Sequence, residues 1–366
     1  MNKDSSALPY ITRILIPTRR NYAVRRERLV DSLKRNLTKK VQILRAPAGY
    51  GKTALLVEMA SELSLPVCWY SFEPEDDDPQ MFLRYCLQSI RAVSPNFGIS
   101  YRPLTRAGSN ANWHTQCGFL VNALESDIDG EVALVFDDLH WIDGKRDLEE
   151  ALSLLIERAP PKIHFVLASR MWPSLACLPK LAASGDLVSL GVSDFRFSTD
   201  ESVQLLSNLW EAPASTEAAE AINERTGGWA AGILLTANTS TTSVSANDVG
   251  VADPDMLFEY LSAEVFDELP DAIRSFLLRT SILSGFTAGF CDNLRASSDS
   301  QVLIDQIKSR GLFLEERTSE IATFAYHDLF RDYLVRRFKL DFHKEYEETT
   351  RKAAALYREE IGRAHV

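Results

Sequence analysis

Two periodicities divide this chain. In its first half, short apolar runs alternate with stretches in which apolar residues return every three or four positions. The runs are Val41–Leu44, Val67–Ser71, Val132–Phe136, His164–Ala168 and the weaker Leu187–Leu190. Near-continuous apolar strands separated by helices predict a parallel sheet covered on both faces, joined by right-handed crossovers. Asp78-Pro79 sets an N-cap residue before a proline at the first helical position. Met81, Phe82, Tyr85, Cys86, Ser89 and Ile90 then follow at helical spacing. Ser198-Thr199-Asp200-Glu201 reads as a capping box ahead of Val203, Leu205, Leu206 and Leu209.

From about residue 195 the strand pattern fades and helices dominate. Asn238 to Pro254 is rich in Ser, Thr, Asn and Gly and reads as a linker or mobile loop. Helical periodicity returns from Met256 to Phe338. Within it, Gly311–Leu314 and Ile321–Phe324 suggest a small β-hairpin or wing. No internal repeat of solenoid period is present.

Composition narrows the class. With 45% hydrophobic and 25% charged residues the chain is globular rather than disordered. At 366 residues it exceeds one ordinary core and implies two or three domains. No apolar stretch approaches the roughly 18 residues of a membrane helix. Met1 to Arg20 lacks the apolar core of a secretory signal, so a cytoplasmic protein with no membrane partner is expected. Cys68, Cys86, Cys117, Cys177 and Cys291 are scattered without a Cys-x-x-Cys pair, as expected of reduced, buried thiols. The net charge of −11 argues against a nucleic-acid surface across the whole chain. Residues 1 to 45 nonetheless hold a strong excess of Lys and Arg over Asp4, Glu27 and Asp31. That excess reads as a solvated basic helix, or as a positive lip beside a bound polyphosphate.

The chemistry is carried by Arg45-Ala-Pro-Ala-Gly-Tyr-Gly-Lys-Thr53, which follows a strand and opens a helix beginning at Ala54. Glycines such as Gly49 and Gly51 let backbone N–H groups turn inward on phosphates, and the helix N-terminus favours negative charge. Lys52 would reach the β- and γ-phosphates, and Thr53 would offer its hydroxyl to Mg²⁺. One departure from the strict phosphate-loop pattern is Ala46 at the first glycine position. The strand Val132–Phe136 ends in Asp137-Asp138. Asp137 would hold Mg²⁺ directly or through water, and Asp138 would polarise the attacking water or sense the γ-phosphate. Leu167-Ala-Ser-Arg170 closes the next strand, where Arg170 is either a sensor that stabilises transition-state charge or a surface ion-pair partner. His140-Trp141 reads as a packed loop, and no nucleophile is assigned.

These residues resemble a known family. Ala46 to Thr53 is similar to the phosphate loop of the MalT-like, ATP-dependent LuxR-type transcriptional regulators, which belong to the STAND class of signal-transducing P-loop ATPases; Ala at the first loop position is common there. The likeness extends through Val24-Arg25-Arg26, Trp69–Pro79, Asp137–Asp143 and Ala168–Arg170. Phe197–Glu201 and Thr226–Gly232 resemble a helical lid, and Phe276–Leu283 and His327–Leu334 a winged-helix arm. The fold implied is an α/β P-loop parallel sheet with helices on both faces, then a small helical lid and a winged-helix-like α domain. The corresponding boundaries are a basic segment at 1–40, the P-loop domain at 41–194, the lid at 195–237, a linker at 238–254, the winged-helix-like domain at 255–340 and the start of a helical region at 341–366.

The resemblance also implies function. ATP or ADP with Mg²⁺ would be held by Ala48, Gly49, Tyr50, Gly51, Lys52, Thr53 and Ala54. Val24 and Arg25 would approach adenine. His327 would touch the β-phosphate of ADP in a closed state, or merely pack at a helix start; Trp229 is expected to pack the lid. An inducer with ATP would open the molecule and permit self-association, and slow hydrolysis would reset it. Family members continue into a helical-repeat sensor that meets a small-molecule or protein inducer, then a helix-turn-helix that meets DNA. Ile361-Gly-Arg-Ala-His-Val366 breaks the preceding helical pattern and reads like translated adapter sequence, so a longer natural protein is expected. The alternative is a stand-alone ATPase, or a switch module coupled to a non-DNA effector.

Overall fold

The computed structural model describes residues 10–99, 112–237, 254–317 and 323–364. It divides into two compact units, one of Met1–Ala46 with Gly51–Phe195, the other of Pro47–Tyr50 with Arg196–Val366.

The first unit is built on five strands: β1 (Val41–Arg45), β2 (Val67–Ser71), β3 (Val132–Asp137), β4 (Ile163–Ser169) and β5 (Leu187–Leu190). They pair in parallel in the order β2-β3-β4-β1-β5. Every residue of β3 and β4 is buried, as an interior parallel strand requires when helices cover both faces. Edge strand β5 is only partly buried, which explains its weaker apolar signal. Helices α1 (Glu27–Arg35), α2 (Lys52–Glu62), α3 (Pro79–Val93), α4 (Trp113–Ser126), α5 (Arg146–Arg158) and α6 (Leu178–Ser184) connect and flank the strands. The Asp78 side chain caps α3 by accepting from Gln80 N–H. The core is centred on the rings of Tyr70, Phe72, Phe82, Tyr85 and Phe136, with centroids 4.7–6.4 Å apart. Free Cys68, Cys86, Cys117 and Cys177 are buried in the same unit, and burial raises each thiol pKa.

The basic N-terminal residues have specific partners. Arg13 is buried, with its guanidinium 4.6 Å from the Tyr85 ring centroid and bonded to Asp76. Arg25 forms a two-point pair with Glu62 of α2 at 2.7 and 3.1 Å, and Lys34 reaches the same carboxylate. At the other end of β1, the Lys40 ammonium donates to the carbonyls of Ala159 and Pro160 and lies 5.4 Å from the Phe165 ring centroid. Burial pulls its pKa down to about 8, below its value of 10.5 in an open chain. Between these values the unfolded chain binds more protons, so this group makes the fold gain stability as pH rises through that window. Urea unfolding of wild type against Lys40→Met should therefore show the stability difference moving in favour of wild type from pH 7 to pH 9.5. A difference that stays constant with pH would show that Lys40 titrates normally.

The second unit is mostly helical. Its helices are α7 (Thr199–Trp210), α8 (Thr216–Thr226), α9 (Ala230–Ala237), α10 (Pro254–Leu261), α11 (Asp271–Thr280), α12 (Ala288–Arg295), α13 (Ser300–Ser309), α14 (Asp328–Asp341) and α15 (His343–Ala364). The Ser198/Glu201 capping box is formed in both directions at the start of α7. Strands β6 (Leu314–Arg317) and β7 (Thr323–Tyr326) make an antiparallel hairpin. Its strands lie a few residues beyond the two apolar segments that suggest it. Gly311 and Phe313 have positive φ of 68° and 35°, so the chain is still turning over that run. Strand β6 itself is charged, with Glu315 half-buried and Glu316 exposed, while its partner β7 is buried from Phe324 to Tyr326. The Phe286 and Phe324 backbones exchange two hydrogen bonds of 2.8 Å and tie the hairpin to the segment before α12. Phe276, Phe286, Tyr326 and Phe330 fill the space beneath it.

The predicted linker lies outside the described residues except for its last position, Pro254, which opens α10. The expected helix break at Ile361 does not occur, because α15 runs on to Ala364. Gly362 costs the helix about 1 kcal/mol against alanine, which a 22-residue helix absorbs.

Candidate functional site

The strands of a parallel sheet all end on one side, where ligands bind in α/β folds. At this edge, β1 runs into the loop Ala46–Gly51, β3 ends in Asp137 and β4 in Ser169. Register places Arg45 beside Ser169, and Phe136 beside Leu167. Gly49 and Gly51 have φ of 77° and 83°, the left-handed region that lets successive N–H groups face one side. Helix α2 starts directly after Gly51 with no side-chain cap and no acidic residue in its first turn. Its N-terminal N–H groups and dipole thus remain available to an anion.

Lys52 is buried, and its ammonium donates to the Ala46 carbonyl at 2.7 Å. Burial pulls its pKa down to about 8, with Arg170 acting in the same direction and Asp137 and Asp138 opposing. The Thr53 hydroxyl donates to Asp137 Oδ2 at 2.7 Å, and Asp138 N–H donates to Asp137 Oδ1 at 2.9 Å. Burial and the Asp138 charge push Asp137 up to about 6, while the Thr53 bond and Lys52 pull against them. A hydroxyl and a carboxylate oxygen held together, next to a buried ammonium and an open helix terminus, form a hard-oxygen donor pair suited to Mg²⁺. Among the described residues no group of three or more His, Cys, Asp and Glu could hold a metal ion. Mg²⁺ takes one or two protein oxygens and completes its shell with phosphate and water.

Asp138 is in the left-handed region at φ 53°, and the short helical turn Leu139–Ile142 follows it. Aspartate tolerates this conformation better than most residues, and here it turns the chain abruptly off the strand end. The Arg170 guanidinium lies 5.7 Å from the Trp141 ring centroid, and Arg45 lies 5.8 Å from that of exposed Trp172. The His140 side chain is 6% exposed, and its Nδ1 is 3.8 Å from Asp138 Oδ1. Burial, then Arg170 and Lys52, drive its pKa down to about 3, so the ring is neutral and the contact is not an ion pair.

Other predicted residues take separate positions. Val24 is buried, while Arg25, half-exposed, is committed to Glu62. The loop tip Pro47–Tyr50 belongs to the second unit. The Ala48 carbonyl accepts from the Trp229 indole N–H at 3.1 Å, and the Gly49 carbonyl from Ala231 N–H at 2.9 Å. Tyr50 stacks on Phe313 at 6.2 Å between ring centroids. Trp229 also packs on Tyr260 and Phe313. The Gly-Gly-Trp signal at 227–229 predicted a packed lid residue; that the indole would also donate to the loop backbone was not legible from it. His327 starts α14, its backbone N–H donating to Phe313 O, with its ring against Gly227. Burial lowers its pKa, and Arg196 adds to that.

A Cβ on Gly49 would fall 2.6 Å from Ala231 Cβ and 2.8 Å from both Trp229 Nε1 and Tyr260 Oη. Left-handed strain and this crowding together predict that Gly49→Ala destabilises the second unit by about 2 kcal/mol. Chemical denaturation followed by tryptophan fluorescence reads it; an unchanged midpoint would show that the loop tip relaxes freely.

Comparison with known proteins extends these observations. Residues 262–347 match the family model of the MalT winged helix domain. Serine/threonine-protein kinase PknK of Mycobacterium tuberculosis is 28% identical over 345 residues, covering 92% of this chain and 30% of the kinase. HTH-type transcriptional regulator MalT of Vibrio cholerae is 26% identical over 349 residues, covering 94% of this chain and 38% of that regulator. This chain thus spans about a third of the length of these curated relatives. The Walker-type ATPase of Pyrococcus abyssi superposes with a TM-score of 0.62 at 14% identity, over 87% of this chain and 97% of its own.

Proposed function

We propose that this chain, a MalT-like P-loop ATPase of the STAND class with a winged helix at its C-terminal end, works as an ATP/ADP-binding switch that hydrolyses ATP slowly. The observation that carries the reading is the Thr53–Asp137 hydrogen bond beside buried Lys52, at the mouth of an uncapped helix. Thr53 and Asp137 would hold Mg²⁺ there, and the ion would supply positive charge against the charge that develops on the phosphates. The residues of the chain supply the rest. Backbone N–H groups of 48–54 cradle the phosphates, and the Lys52 ammonium turns from the Ala46 carbonyl to phosphate oxygens. Asp138 orients water for in-line attack, and Arg170 stabilises charge on the transferring group. Val24 and Arg25 would approach the base, and His327 would meet the β-phosphate of ADP.

Nucleotide identity would bias a two-state arrangement of the chain, with ATP and an inducer favouring self-association. In the residues matched by the winged-helix model, acidic side chains outnumber basic ones, which opposes a role in neutralising DNA phosphates. We therefore assign DNA reading to a helix-turn-helix of the whole protein. A second reading, a switch coupled to a non-DNA effector, is favoured by one observation: the relative named as a kinase matches as much of this chain as the regulator does.

Light scattering with Mg-ADP and with a non-hydrolysable Mg-ATP analogue tests the switch. Different mass or radius in the two states is the expected result. Identical behaviour, with both nucleotides bound, would reduce the chain to a nucleotide-held scaffold.

A further inference from the structure

His140 has an unusual position. Its side chain is 6% exposed, yet Nδ1 and Nε2 both lack a hydrogen-bond partner. A neutral imidazole carries one N–H donor and one acceptor, and buried polar atoms are seldom left unpaired unless a partner arrives during function. The ring packs beside Trp141 at 4.6 Å between centroids, and Arg170 and Lys52 are near enough to depress its basicity. A neutral ring offers one N–H donor and one lone pair. It can orient a neighbour by hydrogen bonding.

Among the described residues the carboxylate recorded beside it is Asp138, with Oδ1 3.8 Å from Nδ1. That is too long for a hydrogen bond, but a small rotation of either side chain closes it. Apo geometries around catalytic groups are often loose in this way and tighten only with substrate. The backbone supports the pairing. Asp138 in the left-handed region starts the short turn Leu139–Ile142, and Trp141 N–H donates to the Asp138 carbonyl at 3.1 Å. The turn thereby fixes His140 two residues beyond Asp138 and on its flank.

We propose that His140 is a positioning residue: in the nucleotide-loaded site its Nδ1–H donates to the Asp138 carboxylate and aims the other carboxylate oxygen at the attacking water. The inference rests on the ATPase reading above. It adds a role for a residue that contacts neither phosphate nor metal.

Four variants and one spectroscopic measurement test it on the full chain. His140→Leu should lower kcat for ATP hydrolysis about 10- to 100-fold and leave the Kd for Mg-ADP unchanged. His140→Asn, whose amide N–H falls near the position of Nδ1–H, should recover activity to within a few-fold of wild type. In the Asp138→Asn background, His140→Leu should slow hydrolysis no further. A fall of the same size in that background would show that His140 acts independently of Asp138 and overturn the proposal. Because it removes unpaired buried polar atoms, His140→Leu should melt no lower than wild type; loss of both activity and melting temperature, with no rescue by His140→Asn, would mean that the residue is structural. With ¹⁵N-labelled histidine, a non-hydrolysable Mg-ATP analogue should shift the His140 Nδ1–H resonance downfield. An unmoved resonance in a chain that binds the analogue overturns the pairing, and absence of analogue binding overturns the underlying reading instead.

Discussion

Lys52→Ala should abolish the thermal stabilisation that Mg-ATP gives the wild-type chain. Ligand at about 1,000 times its Kd stabilises a fold by roughly 4 kcal/mol, which in a domain of this size is on the order of 10 °C in melting temperature. Removing one charged partner of a desolvated ion pair costs about 2–5 kcal/mol of affinity, enough to erase that shift at the same nucleotide concentration. The fold itself should survive. Lys52 is a buried ammonium whose basicity burial already depresses, and it donates to the loop carbonyl of Ala46. The variant without nucleotide should therefore melt within a few degrees of wild type. Differential scanning calorimetry with and without Mg-ATP separates the two effects. If the variant binds Mg-ATP at wild-type affinity, the phosphate-loop assignment fails.

Asp138→Asn should leave binding intact and slow hydrolysis by at least about 100-fold, the lower end of what a positioned base contributes. The substitution keeps the side-chain size and the left-handed backbone, since asparagine also tolerates positive φ. It keeps the hydrogen bond that Asp137 accepts from the Asp138 backbone N–H, and by removing the Asp138 charge it only makes Asp137 easier to ionise. Single-turnover phosphate release against the Kd for Mg-ATP distinguishes the outcomes. Equal rates in the two proteins would remove Asp138 from the chemistry and leave Arg170 and the metal as the source of any turnover.

What was legible in the sequence follows from how local each signal is. Strands β1, β3 and β4 read cleanly because interior parallel strands are apolar on both faces, edge strand β2 because it is buried almost as fully, and the phosphate loop because its glycines and its Lys-Thr are contiguous. The resemblance to a MalT-like core likewise rested on such contiguous motifs. The first strand of the hairpin was displaced because Glu315 and Glu316 break the apolar run that would mark it. The helix through Gly362 was missed because a single glycine is a weak breaker inside a long helix. Non-local relations were not legible at all. Nothing in the spacing of Trp229 predicts that its indole meets the Ala48 carbonyl, nor does the pattern around Arg25 predict its grip on Glu62. His140 read as ordinary loop packing, which is correct for its burial and silent about its unpaired nitrogens.

The sheet order has one more consequence, a matter of width. Strand β4 lies between β1, which feeds the phosphate loop, and β3, which carries the carboxylates. Neighbouring strands are about 4.8 Å apart, so the two chemical elements stem from backbones separated by roughly 10 Å. Adjacent strands would leave space for a metal contact and little else. With an intervening strand, backbones this far apart would admit a phosphoryl group and a water molecule side by side, with the end of β4 at Ser169 between them. On the proposed reading, the spacer strand would set the aperture for in-line attack.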